Sequence, residues 1–559
     1  MTEIHFEVVQ PTMNVTMHLQ ELEIQSTELL TVGTQLVLDN PQFKIDTRIE
    51  HVVFICQREL EVGEYILRVH YSGTMRNYQS GYLVSSYRNE KDEVNYVGST
   101  HFQATLARRV FPCYDEPGLK VPITLWVQHH KNYSAVANMP VELRQPSADY
   151  LITKFVPTPR ISTYLFAFAV TNFVTKTSGK HKVLARPNAA EEMDYALGVE
   201  ILDVLGNYTG VSYFDFMPKM SQIAIPDRGS GAMENWGLVT YGWVNYSRFW
   251  ILTRCMTSRK RVTIVFAHEF AHQWFGNLVS LKWWDYIWLN EGFATLYEYY
   301  ATELAYPELR YWSLFNVEVL QRALGQDAGR SVRPMNHPVA SQEEVWRLFD
   351  VIAYQKSACV LNMFRQVIGE DSWKEGLSNY LKVRQLNSAT PDDLYIGLDR
   401  AIKGRKVIPE GLNLKLVMES WTNALGYPVL NVRRLYNTGS IMLSQERFLA
   451  DDQLPDEHVW YIPYNYVDTR VPQPKSNQIE WLTEKATIIT TRTAKSRWIV
   501  FNQEQFGYYR VNYDQRNWEL IIEAILDDGY FPRYIAYQPW AAANNILNYF
   551  YGKLRGTEH

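Results

Sequence analysis

The chain changes its hydrophobic period twice, and this constrains its fold more than any other feature. From Phe6 to about Phe173, apolar and polar residues alternate, as in Thr34-Gln-Leu-Val-Leu-Asp39 and Glu64-Tyr-Ile-Leu-Arg-Val-His70. Turn residues such as Ser72-Gly73 and Gln145-Pro-Ser-Ala148 separate these segments. A two-residue period reads as antiparallel strands with one buried face. After about Ala190 the spacing becomes helical, over Arg259–Asn277, Asn290–Ala305, Glu343–Gly369 with a break inside it, Ser372–Val383, Pro391–Lys403 and Leu414–Ala424. Gly426-Tyr-Pro428 stops that run, and short strand-like segments return from Val429 to Tyr513. Within Asp514–His559, Trp518–Leu526 is again apolar at helical spacing. A chain of 559 residues is too long for a single core. The expectation is a multidomain α+β protein. It divides into an N-terminal antiparallel β domain (1–173), an α/β domain (174–427), a small β-sandwich (428–514) and a partly helical segment (515–559).

The helical region contains His268-Glu-Phe-Ala-His272. On a helix, residues four apart lie about 40° apart around the axis, so both imidazoles point the same way. Two ring nitrogens can then each approach one zinc ion at about 2.0–2.1 Å. Glu269 sits beside the ion rather than on it, where an activated water would be, and is the expected general base. A hydrolytic zinc site needs a third ligand and an open position. Glu291, in Trp288-Leu-Asn-Glu-Gly-Phe-Ala294, follows His272 after 18 residues, enough for a helix end, a loop and a facing helix. His268, His272 and Glu291 are therefore the expected metal ligands, with one Zn²⁺ per chain. An apolar run, Val262-Thr-Ile-Val-Phe-Ala267, leads into the motif, as a buried active-site helix requires.

Composition excludes other classes. The net charge is −5 with no basic block, which argues against a nucleic-acid partner. No apolar run of about 18 residues suggests a membrane span. Met1–Gln20 has no apolar core of a signal peptide, so on this chain alone the expected location is cytoplasmic. The four cysteines, Cys56, Cys113, Cys255 and Cys359, form no C-x-x-C pair and read as buried thiols. N-x-S/T sequons at Asn14, Asn132, Asn207 and Asn245 point the other way, to an extracellular glycoprotein.

Several further segments carry a resemblance. They are Gly231-Ala-Met-Glu-Asn235 with Trp236-Gly237, His268-Glu-Phe-Ala-His-Gln-Trp-Phe-Gly-Asn277, Lys282-Trp-Trp284 and Trp288–Ala294. Phe111-Pro-Cys-Tyr-Asp-Glu-Pro117, Trp421-Thr422 with Gly426-Tyr-Pro428, and Gly507-Tyr-Tyr-Arg-Val-Asn-Tyr513 complete the set. In this order, over about residues 6 to 520, the chain resembles the zinc aminopeptidases related to aminopeptidase N. The resemblance implies a thermolysin-like catalytic domain over 174–427 and exopeptidase action on peptides with a free N-terminus. It implies that Glu234 grips the substrate α-ammonium, that Gly231, Ala232, Met233 and Asn235 line the substrate strand, and that Tyr354, in Ala353-Tyr-Gln-Lys-Ser-Ala358, donates to the oxyanion. Relatives include secreted, cell-surface and cytosolic enzymes; the oligomeric state is not readable.

The departures from the family pattern are local and global. His101 stands where the family carries a Gln that helps Glu234 bind the amine; Gln103, two residues on, either compensates or marks an altered specificity. Gly242-Trp243 replaces the usual Arg-Glu, and Ser357 replaces a common Gly. The resemblance also implies truncation at both ends, with 515–559 as the start of a helical C-terminal domain that normally closes over the cleft. Two functions therefore stay open: an active zinc aminopeptidase, or a catalytically impaired zinc- and peptide-binding paralogue acting as a receptor-like scaffold. A purely structural zinc is disfavoured, because structural sites are usually closed by four ligands, often cysteines.

Overall fold

The structure is a computed structural model. It describes residues 1–32, 37–39, 41–77, 80–187, 196–226, 231–242, 256–450, 457–468, 479–491 and 495–526. Cys255, Trp243, Asn245 and the segment after 526 lie outside the described residues. The architecture is mixed α+β, with antiparallel sheets first and helices after them.

The chain divides into two compact units. The first comprises Met1–Gly206, Ser212–Trp283 and Arg384–Ser388. Its N-terminal portion is a four-stranded antiparallel sheet in the order Thr2–Val8, Gly63–Gly73, Leu22–Thr31, Val37–Asp39, and a three-stranded one in the order Thr12–His18, His51–Leu60, Gln42–Asp46. Side chains that alternate along these strands meet in one core, including Val15, Met17, Leu29, Val52, Phe54, Leu67 and Val69. This is the burial that a two-residue period dictates.

Two more antiparallel sheets follow, in the orders Ser134–Ala137, Phe168–Thr171, Val94–His101, Gly81–Arg88 and Trp126–His130, Tyr150–Phe155, Val141–Ser147. The unit ends in a mixed five-stranded sheet, in the order Val174–Ser178, His181–Ala185, Met220–Ile225, Leu238–Gly242, Ala232–Met233. Its central strands run parallel, and Met220–Ile225 and Leu238–Gly242 are buried at every residue. Burial on both faces is usual for parallel strands, and it explains why their sequences do not alternate. Tyr87, Val97, Ala169 and Phe173 share a core with Leu184, Ile223, Ile225 and Leu238, so the antiparallel and mixed sheets pack as one body.

The second unit comprises Asn207–Val211, Trp284–Val383 and the described residues from Ala389 on. Its helices are Trp288–Ala305, Gln342–Arg347, Ser357–Ile368, Glu370–Arg384, Pro391–Ala401 and Leu414–Thr422, with shorter turns between. Gly292 lets two of them approach closely: a Cβ there would sit 2.6 Å from the Cβ of Ser357. A four-stranded sheet follows in the order Ala486–Thr490, Ser440–Arg447, Pro428–Leu435, Arg510–Tyr513. The helix Gln515–Leu526 closes the described chain.

The motif helix differs from its sequence-based bounds. The motif helix runs Met256–Ala271 rather than to Asn277. Beyond it the amides of Asn277, Leu278 and Val279 reach back five residues, to His272, Gln273 and Trp274. Gly276 adopts φ +131, which a side chain resists. The break read inside Glu343–Gly369 is present: Gln342–Arg347 and Ser357–Ile368 are separate helices, with a π-helical turn at Ile352–Lys356 before Ser357.

Candidate active site

His268 lies in the last turn of the motif helix and His272 one turn on, its amide still bonded to the His268 carbonyl at 3.2 Å. Their rings are 4.8 Å apart and nearly perpendicular, with the two Nε2 atoms at 3.1 Å. His272 is buried, and its Nδ1 lies 3.1 Å from the Phe275 carbonyl oxygen. A carbonyl can only accept, so Nδ1 carries the proton and Nε2 keeps its lone pair for a metal. Glu291 is in the first turn of Trp288–Ala305 and is also buried. Donor atoms of His268, His272 and Glu291 all lie within 4.8 Å of one another.

A tetrahedral ion with two Zn–N distances of about 2.05 Å holds its nitrogens about 3.3 Å apart. The observed 3.1 Å therefore suits zinc without rearranging the helix. The donor set fits as well, since two imidazoles and a carboxylate leave one position open. Glu269 is buried at 6% exposure on the same helix, adjacent to His268.

Ala232–Met233 is the edge strand of the mixed sheet, antiparallel to Leu238–Gly242, with Ala232 opposite Tyr241 and Met233 opposite Thr240. Its other side has no strand partner among the described residues. Gly231, at φ +139, accepts a hydrogen bond from the Gly242 amide at 2.9 Å and opens the strand. Met233, Glu234 and Asn235 are buried, whereas Gly231 is exposed and Ala232 half-buried. The Glu234 carbonyl oxygen is held by the side chains of Gln273 at 3.1 Å and Asn277 at 2.7 Å. Gln273 also donates to the Glu269 carbonyl at 2.9 Å. One glutamine thus ties Glu234 to the motif helix, a role the motif spacing alone did not reveal. The Gln103 side-chain amide reaches the Glu234 carboxylate at 3.4 Å. His101 is buried at the end of its strand, opposite Gly81.

Two buried lysines brace this region. Lys120 donates to the carbonyls of Asn277 and Leu278 at 2.8 and 3.1 Å. Lys219 donates to those of Ala137 and Gly237 at 2.9 and 2.7 Å. A Cβ on Gly237 would lie 2.5 Å from the Asn138 carbonyl oxygen, so the turn after Glu234 needs a glycine. Neither lysine carries a motif that marks it in the sequence.

Tyr354 is half-buried on the π-helical turn Ile352–Lys356, which packs against the helix carrying Glu291. Ser357 is not idle there: its hydroxyl donates to the Ile352 carbonyl at 2.7 Å and closes the wide turn.

Comparison with known proteins gives the family. Residues 1–165 match the peptidase M1 N-terminal domain, and residues 193–421 match the peptidase family M1 domain. Human endoplasmic reticulum aminopeptidase 1 is 30% identical over 550 residues, covering 93% of this chain and 57% of that protein. Rat aminopeptidase N is 33% identical over 558 residues (94% and 56%), and bovine glutamyl aminopeptidase 33% over 547 (93% and 54%). The chain spans little more than half the length of these relatives. With both M1 models matched in order, and these aminopeptidases similar over most of its length, the chain belongs to peptidase family M1.

Proposed function

We propose that this protein is a zinc-dependent aminopeptidase that hydrolyses the first peptide bond of peptides with a free N-terminus. The observation that carries the reading is the convergence of His268, His272 and Glu291 within 4.8 Å. A zinc ion held by these three would supply Lewis acidity to a water molecule and to the scissile carbonyl.

The chain's own residues do the rest. Glu269 takes a proton from the attacking water and passes it to the departing amine as the C–N bond breaks. The Tyr354 phenol donates to the carbonyl oxygen as negative charge develops there. Glu234 accepts a charge-assisted hydrogen bond from the substrate –NH₃⁺, which restricts cleavage to the first residue. Gln103, whose side-chain amide lies 3.4 Å from that carboxylate, orients it. His101 flanks this subsite; its neutral form accepts hydrogen bonds, whereas its protonated form repels the ammonium. Gly231, Ala232, Met233 and Asn235 form the edge to which the substrate backbone pairs, a mode that open sheet edges support.

The division into domains at 173, 427 and 514, with a thermolysin-like catalytic domain and a β-sandwich after it, belongs to the same proposal. The sequons and the likeness to an endoplasmic reticulum aminopeptidase support a secretory or cell-surface setting. No helix among the described residues is long and apolar enough to cross a membrane.

The test is metal content alongside turnover. The wild-type protein should carry about one zinc per chain, and His272→Ala should lose both zinc and hydrolysis. Glu269→Gln should keep its zinc and lose hydrolysis by at least about 100-fold. Wild-type turnover in a zinc-loaded Glu269→Gln protein would remove Glu269 as the base.

A further inference from the structure

The turn that carries Tyr354 is fastened at both ends by ion pairs that lie outside the site itself. A π-helical turn is rare and persists where other contacts fix it. At its front, the Asp350 carboxylate accepts the amides of Ile352 and Ala353 at 2.9 and 3.0 Å. Arg333 grips the same carboxylate through Nε at 2.9 Å and Nη2 at 2.7 Å. At its back, Lys356 reaches Asp327 at 2.9 Å, with both side chains fully buried. The Lys356 ammonium also donates to the carbonyls of Gly426 at 2.9 Å and Ala424 at 3.3 Å. Its three N–H donors are thereby matched by three acceptors. The Tyr508 hydroxyl donates to the same Asp327 oxygen at 3.0 Å. Lys356 is two residues from Tyr354, and Gly426 and Tyr508 flank the sheet that follows the helices.

We infer that Lys356 and Asp327, assisted by Tyr508, are positioning residues for Tyr354: they fix the back of its turn to the C-terminal sheet region so that the phenol is held in place for the reaction. The inference rests on the reading of Tyr354 as the oxyanion donor. The physical reason is that a buried ion pair contributes little stability over apolar residues of equal volume, so stability alone does not account for it. What a buried pair whose ammonium has all three donors matched does supply is one fixed register. Apolar contacts slide by an ångström at small cost, and an ångström of misplacement at a reacting group can cost about 100-fold in rate.

The test uses the full chain and a free-amine amino-acyl anilide, with kcat and KM measured separately and zinc content and helicity checked for each variant. Tyr354→Phe should lower kcat about 100-fold, the usual loss for one oxyanion donor. The double variant Lys356→Met with Asp327→Leu removes both charges. It should lower kcat about tenfold with KM within about twofold, and should cost nothing more in a Tyr354→Phe background. Amide exchange over residues 350–357 should rise at least about tenfold in that variant, while the motif helix is unchanged. If the double variant fails to fold, Tyr508→Phe replaces it, with about a threefold kcat loss that vanishes in the Tyr354→Phe background. Unchanged kcat in the charge-free variant, or an equal loss with and without Tyr354, would overturn the inference while leaving the oxyanion reading intact. Unchanged kcat in Tyr354→Phe would overturn both.

Discussion

Lys120 and Lys219 on the one hand, and Lys356 on the other, show two ways of burying a cation beside a working residue. The first two are surrounded by backbone carbonyls: Lys120 behind the turn that ends the motif helix, Lys219 behind the turn that follows Glu234. Burial pulls both ammonium groups down to about 7. Lys356 is equally buried, but it faces a carboxylate, and the attraction of Asp327 opposes the effect of burial on it. Carbonyl dipoles brace a turn even when the lysine loses its proton, because a neutral amine still donates. A buried ion pair has no such tolerance, because each charge depends on the other.

The largest effect should come from splitting the pair. Lys356→Met alone leaves the Asp327 charge buried and uncompensated, which costs about 3–5 kcal/mol. Removing both charges, as in Lys356→Met with Asp327→Leu, should bring stability back to within about 1–2 kcal/mol of wild type. Denaturant midpoints of the two variants measure this, and equal destabilisation by both would erase the distinction between the two kinds of lysine.

Smaller effects are expected at the carbonyl-braced lysines. Lys120→Met and Lys219→Met each take a donor from two buried carbonyls but also remove a costly buried charge, for a net loss of about 1–2 kcal/mol. The pH dependence sharpens the point. The folded value of about 7 lies below the ordinary lysine value of 10.5, so between these limits the unfolded chain binds more protons than the native one. Stability should therefore rise with pH across that window and fall toward pH 7, by at most about 1.4 kcal/mol per pH unit for each group. Lys219→Met should flatten the slope between pH 7 and 9; an identical slope in wild type and variant would mean that Lys219 does not titrate there.

The legible parts of the molecule were those with a local period or a fixed spacing. The four-residue step from His268 to His272 and the 18-residue gap to Glu291 predicted the cluster that the structure assembles. The Glu64–His70 alternation predicted the strand Gly63–Gly73. The pairing of Gln103 with Glu234, suggested by the departure at His101, also appears. Features set by distant contacts were not legible. A break within Glu343–Gly369 was legible, but not that it takes the form of a π-helical turn at Ile352–Lys356. Its causes, Arg333 and Asp327, lie well before it in sequence. Likewise Trp274 and Phe275 keep helical spacing past the true helix end, because the turn at Gly276 buries them anyway. Lone lysines such as Lys120 and Lys219 read as solvated charges until their carbonyl partners are seen.

The central claim is that a zinc held by His268, His272 and Glu291 cleaves peptides whose free amine is gripped by Glu234. Its most direct test is release of a chromogenic leaving group from free and N-acetylated amino-acyl anilides, with and without a zinc chelator. The account predicts cleavage of the free-amine substrates alone, abolished by the chelator and restored by zinc. Cleavage of the acetylated substrates, or cleavage that survives removal of the metal, would contradict it.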